Sequence, residues 1–208
     1  MVNVSTTLVQ AYLHVNGYFT TADYPLVEQL PHQSPRMLTD VDMLAVRFSD
    51  NDVAGSSNRR GRVSGPIADA VDAALDVPRA RTDMIVAEIK QGRAQVNPAA
   101  RNRHALAGTL ARFGCCEERE ATSVVQALLQ HGQAEGARGH VIRMVLFAAH
   151  GERAPRGWHW VRLDRVFEFL DGYLRREQHT LGHVDLHDPA LAWLALQQKC
   201  GLSLSPEK

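Results

Sequence analysis

The chain has 208 residues, 45% hydrophobic and 22% charged, and its 23 basic and 23 acidic side chains cancel. These totals exclude global disorder and a fibrous repeat, and they leave no overall field to draw the protein to nucleic acid or an anionic membrane, so any nucleic-acid surface must be local. No apolar run approaches the ~20 residues needed to cross a bilayer, and the N-terminus lacks a charged lead, so the sequence reads as a cytoplasmic protein with no membrane partner.

Val4, Leu8, Tyr12 and Val15 recur at helical spacing, and Asn16-Gly17 supplies a left-handed stop, which predicts a first amphipathic helix. Residues 17–21 are β-prone and predict a short strand, while the three prolines of "YPLVEQLPHQSPR" predict a loop. A clearer strand follows at Thr39 to Phe48, where Asp40, Asp42, Leu44, Val46 and Phe48 share one face. Residues 49–65 are small, polar and basic, which predicts a mobile loop; a short helix with Ile67, Val71, Ala74 and Leu75 inward should follow. Met84 to Lys90 predicts the next strand, and Asn97-Pro98 opens a helix through Phe113 that Gly114 terminates. A further helix is expected at about 117–130, and then the most apolar strand, His140 to His150, with a central place in the sheet. The tail carries a strand signal at "WHWVRL", a helix at 166–175, and a last helix opened by Asp188-Pro189. This order predicts an α/β protein whose central mixed sheet is flanked by helices. Residues 1–150 form its core, and 151–208 a strand and helical extension packed on that core.

Within "MIVAEIK" the alternation places Met84, Val86, Glu88 and Lys90 on one face, so both charges leave the same side at the C-terminal end of the strand. Antiparallel pairing with the strand at 39–48 would bring Asp40, Asp42, Glu88 and Lys90 to one rim. Hard carboxylate oxygens at one spot suit Mg²⁺, which leaves several coordination positions to water and substrate phosphate. A neighbouring lysine can orient the attacking water or stabilise developing negative charge. Phosphodiester hydrolysis fits this set. The ordinary alternative is a half-exposed cross-strand ion pair at a sheet edge.

With Asp42 in "TDVDMLAVRF", Glu88 and Lys90 in "VAEIK", and the order of elements from about residue 2 to 149, the sequence resembles the PD-(D/E)xK nuclease superfamily. The resemblance implies a restriction-endonuclease-like αβββαβ core and cleavage of DNA or RNA with Mg²⁺ or Mn²⁺, DNA being favoured. Asp42 and Glu88 would be the metal ligands and Lys90 the catalytic cation. Asp42 directly precedes the apolar run Met43-Leu44-Ala45-Val46, as the family's aspartate does, and Asp40 is the second candidate. Many members carry a further glutamate ligand on the first helix; this helix has none, and Gln10 is its polar substitute. The superfamily also admits a homodimer cutting both strands, and it contains inactive members that bind nucleic acid or a protein partner.

Arg93 and Arg101, beside the strand that carries Glu88, are the phosphate-binding candidates, with a solvated helix face as the alternative. Arg59, Arg60 and Arg62 read as solvated loop residues. His179, His183 and His187 have metal-like spacing, but Gly182 and Asp188-Pro189 interrupt the helix that would align them. Trp158 and Trp160 read as core or partner-facing residues. Cys115, Cys116 and Cys200 read as reduced thiols, an odd set without CxxC spacing.

Overall fold

A computed structural model describes residues 3–28, 34–50, 71–136, 138–181 and 186–202. Arg59, Arg60, Arg62, Ile67 and His183 lie outside the described residues, as does most of the segment at 49–65. The first helix, α1 (Val4–Val15), is capped by the Asn3 side chain, which accepts from the Ser5 N–H, and of the expected stripe it buries Leu8, Tyr12 and Val15, while Val4 in its first turn is exposed.

Strands β1 (Phe19–Glu28) and β2 (Arg36–Arg47) form an antiparallel pair with Phe19 opposite Val46 and Glu28 opposite Arg36. The expected loop after residue 23 is therefore strand on both sides, and Pro25 lies within β1, opposite Asp40. Pro25 is tolerated because β1 is the outer strand of the sheet, where a missing N–H breaks no ladder on the open side. Left-handed backbone at Asp23 and a register irregularity between Leu26 and Val27 disturb that same strand, which discourages pairing with another chain.

Strand β3 (Asp83–Arg93) runs antiparallel to β2, with Met43 opposite Ala87 and Arg47 opposite Asp83. It runs parallel to the central strand β5 (Val141–His150), which is buried from Val141 through Ala148. On the far side of β5, the short β4 (Gln133–Glu135) pairs antiparallel with its first residues and β6 (His159–Arg162) pairs parallel with its later ones. Burial on both faces explains the unbroken apolar run of β5. Strand β4 was not expected: three residues with no buried member carry no alternation to detect.

Pleating divides the core into two layers. Met43, Ala45, Ile85, Ala87, Ile89, Val145 and Phe147 face α1 together with the C-terminal helices α4 (Leu163–Arg176) and α6 (Pro189–Lys199). Leu44, Met84, Val86, Met144 and Leu146 face α2 (Arg103–Phe113) and α3 (Glu118–His131). Each buried Val, Leu, Ile, Phe or Met among them contributes roughly 1.5–3 kcal/mol, so both layers help to hold β3 in place. The chain after residue 150 thus supplies a strand of the same sheet and part of the first core layer. A short helix, α5 (Gln178–Leu181), follows α4.

The single helix expected from Asn97 to Phe113 is divided. Pro98–Arg101 is one 3-10 turn, and Asn102 then caps α2 by accepting from the Ala105 N–H. An Asx cap offers the backbone a better partner than continued helix would, so the chain restarts there. Of the short helix expected near 67–75, the described part is a 3-10 turn, Ala73–Leu75, capped by Asp72. At the end of α3, Gly132 has a left-handed φ of +78°, and a Cβ there would lie 2.6 Å from the Gly157 carbonyl oxygen, so only glycine lets the loop before β6 approach.

Candidate functional site

Beyond the Met43/Ala87 pair the β2–β3 ladder ends, and the side chains take over. Asp42 Oδ2 accepts the Ile89 N–H at 2.6 Å, and Glu88 Oε1 accepts the Asn97 N–H at 3.3 Å. Both carboxylates belong to the face of the sheet that carries Leu44 and Val86, so the 3-10 turn and α2 lie on their side. Lys90 leaves β3 on that face and places its Nζ 2.6 Å from Glu88 Oε1 and 3.6 Å from Asp42 Oδ2. The three residues singled out from sequence are therefore one contact cluster, closed by antiparallel pairing of the two strands.

The cluster has a buried and an open side. Glu88 is 4% exposed, whereas Asp42 and Lys90 are 27% and 33% exposed. Burial raises the Glu88 pKa, with the Asp42 charge adding to it, and the hydrogen bonds from Lys90 and Asn97 only partly offset that rise. Burial by itself would lower the Lys90 pKa, but its hydrogen bond to Glu88 and the charges of Asp42 and Glu88 outweigh the desolvation and raise it. The result is a cation held by two carboxylates at a strand end, two of whose oxygens are fixed by neutral backbone donors.

Asp42 is the aspartate that reaches Lys90; Asp40 lies two residues earlier, half-buried and opposite Pro25. Gln10 is not brought to the cluster. Its amide donates to Thr20 Oγ1 at 3.2 Å, and α1 packs on the other face of the sheet, against Ala87 and Ile89 rather than Glu88. Arg93 is exposed where β3 ends, opposite His150, and Arg101 is exposed at the close of the 3-10 turn that packs on β2. Both stand on chain that leaves the cluster, without an ion pair to it among the described residues.

Other sequence signals resolve into packing. Trp158 is buried and Trp160 donates its indole N–H to the Ala148 carbonyl, so both belong to the second core layer. Burial pushes the Cys115 thiol up to about 12 and raises Cys116 also, which leaves neither as a ready nucleophile. His179 and His187 are exposed.

Sequence reasoning missed two other charged groups and the backbone donors. Arg143 makes a forked pair with Asp83, which also accepts from the Tyr18 hydroxyl at 2.5 Å. Asp72 accepts from the Tyr12 hydroxyl and from the Arg165 guanidinium. These partners are separated by 60 residues or more along the chain, so spacing gives no sign of them. The Asn97-Pro98 signal was visible, but as a helix start rather than as the donor that holds Glu88.

Among the described residues no group of three or more His, Cys, Asp and Glu side chains could hold a metal ion, and no helix is long and apolar enough to cross a membrane. Comparisons with protein-family models, curated proteins and solved structures return no match.

Proposed function

We propose that this chain is a metal-dependent nuclease of the PD-(D/E)xK type, with a restriction-endonuclease-like αβββαβ core, that hydrolyses phosphodiester bonds of nucleic acid, DNA being favoured. The observation that carries the reading is the contact of Lys90 with both Asp42 and Glu88 where the β2–β3 ladder ends. The order α1, β1, β2, β3, α2, α3, β4, β5, with β3 parallel to β5, contains an αβββαβ succession interrupted by α3 and β4, and supports the fold assignment.

The residues present fit a divalent ion. A cation, the Lys90 ammonium, already lies against two hard carboxylates, the ligand type that Mg²⁺ takes alongside water and phosphate oxygens. Asp42 and Glu88 would hold Mg²⁺ or Mn²⁺, which when bound lowers the pKa of water and offsets charge on a phosphoryl oxygen. The Ile89 and Asn97 N–H groups keep the two carboxylates oriented, so little reorganisation is needed at the site. Lys90 supplies positive charge beside the attacked phosphate and positions the water. Arg93 and Arg101, exposed at the exits of this strand, would hold neighbouring phosphates. A cytoplasmic protein, and a homodimer where both strands are cut, are consistent with this reading.

A second reading has support of its own: with two carboxylates both engaged by Lys90, the chain would be an inactive module of the same fold that binds nucleic acid or a protein partner. Incubating the protein with supercoiled plasmid, single-stranded DNA and RNA, each with Mg²⁺, Mn²⁺ or chelator, separates the two. Metal-dependent cutting that Lys90→Ala abolishes is the expected result; no cutting under any condition favours the binding module.

A further inference from the structure

We infer that Lys90 is the built-in counter-cation of the metal-free site, and that a divalent ion enters by exchanging with its ammonium. The inference rests on the metal reading above and concerns what that reading leaves open, namely how a site already neutralised can be loaded. Glu88 is 4% exposed, and a carboxylate so buried stays charged only beside a compensating cation; Lys90 at 2.6 Å is that cation. The donors from Ile89 and Asn97 carry no net charge and cannot replace it.

The ammonium and a divalent ion cannot share the gap. Like charges this close repel, and the more strongly the less water surrounds them. Lys90 is built to leave. It is a point charge on a flexible four-carbon stem, and 33% of its side chain faces solvent. Arg143, by contrast, is a forked donor with 7% exposure, tied to Asp83 and to the Leu75 carbonyl. Exchange leaves the freed ammonium tethered to β3 beside the ion, where substrate phosphate would arrive.

Calorimetric titration of Mn²⁺ into the full chain at pH 8 tests the exchange. Lys90→Met, which keeps the stem and removes the competitor, should bind about tenfold more tightly than wild type, a difference of about 1.4 kcal/mol, and Glu88→Gln should bind weakly or not at all. Tight binding by Lys90→Met with none detectable in wild type also supports the exchange. Equal or weaker binding by Lys90→Met would overturn it and leave the metal reading intact, whereas no binding by either protein would overturn both.

A second measurement needs no variant. The chain has three lysines, Lys90, Lys199 and Lys208, so ¹⁵N labelling of lysine gives a simple side-chain spectrum. Saturating Mg²⁺ should shift the Lys90 Nζ signal and speed its exchange with water while the other two stay in place. A stationary Lys90 signal at Mg²⁺ concentrations that the calorimetry shows to be saturating would also overturn the exchange.

Discussion

Strand β3 carries one cation–carboxylate cluster at each end, and they differ in how the charge is held. At its start, Asp83 is 0% exposed and receives a forked guanidinium from Arg143 and the Tyr18 hydroxyl. Burial by itself would lower the Arg143 pKa, but the hydrogen bond and charge of Asp83 outweigh that and raise it, and burial beside Asp83 raises Tyr18 as well. At its end, Glu88 and Asp42 share one flexible ammonium and two backbone N–H groups, and the open side faces solvent. The first arrangement ties β3 to β5 and to the turn before β1. The second fixes the carboxylates but leaves their cation exchangeable, which suits a site that must admit a ligand.

The largest effect should come from cutting the locked cluster. Arg143→Met leaves Asp83 buried without its cation, which should cost about 3–5 kcal/mol and lower the melting temperature by on the order of 10 °C in a chain of this size. Urea denaturation checks this; a loss under about 1 kcal/mol would mean the two clusters do not differ as described.

Lys90→Ala should do the reverse. If the chain is the proposed nuclease, its activity should fall by about 100- to 1000-fold, the range for removing one transition-state electrostatic partner, with a much smaller change in stability. If Lys90→Ala proves as destabilising as Arg143→Met, the end of β3 is a structural pair.

A third effect is read against pH. The folded Glu88 pKa is raised, so its contribution to stability is fully present below the unfolded carboxylate value and is lost as pH rises through the higher folded value. Glu88→Gln, fixed in the neutral form, should therefore be more stable than wild type at about pH 7–8, and the advantage should fade below about pH 4. Melting curves across that range decide it, and a constant or inverted difference would contradict the burial of Glu88 as the dominant cause.

The smallest expected effect belongs to Arg101. If the chain binds nucleic acid as proposed, Arg101→Ala should weaken that binding a few-fold and reduce the dependence of log affinity on log salt by about one unit, as for one lost phosphate contact. Fluorescence anisotropy at several salt concentrations measures both, and an unchanged salt slope would remove Arg101 from the binding surface.

Much of this was legible in the sequence because it depends on local periodicity and caps. The stripe of Leu8, Tyr12 and Val15, the alternation of "MIVAEIK", the apolar run of β5 and the Asp188-Pro189 start each follow from which side chains a helix or strand must bury or pair. The shared face of Glu88 and Lys90 is a consequence of strand pleating alone. Where local signals conflicted with position in the sheet, position won. Pro25 predicts a loop, yet an outer strand has an edge on which a missing N–H is harmless.

Only the tertiary structure decided that Asp42 meets Lys90 across the β2–β3 register, that Gln10 lies behind the sheet, and that Asp83 finds Arg143 sixty residues away. These contacts form when strands pair and layers close, and each depends on a register or a face that no window of a few residues contains. The sequence by itself thus determined which residues could do chemistry at the end of a strand; the fold decided which of them share a cation.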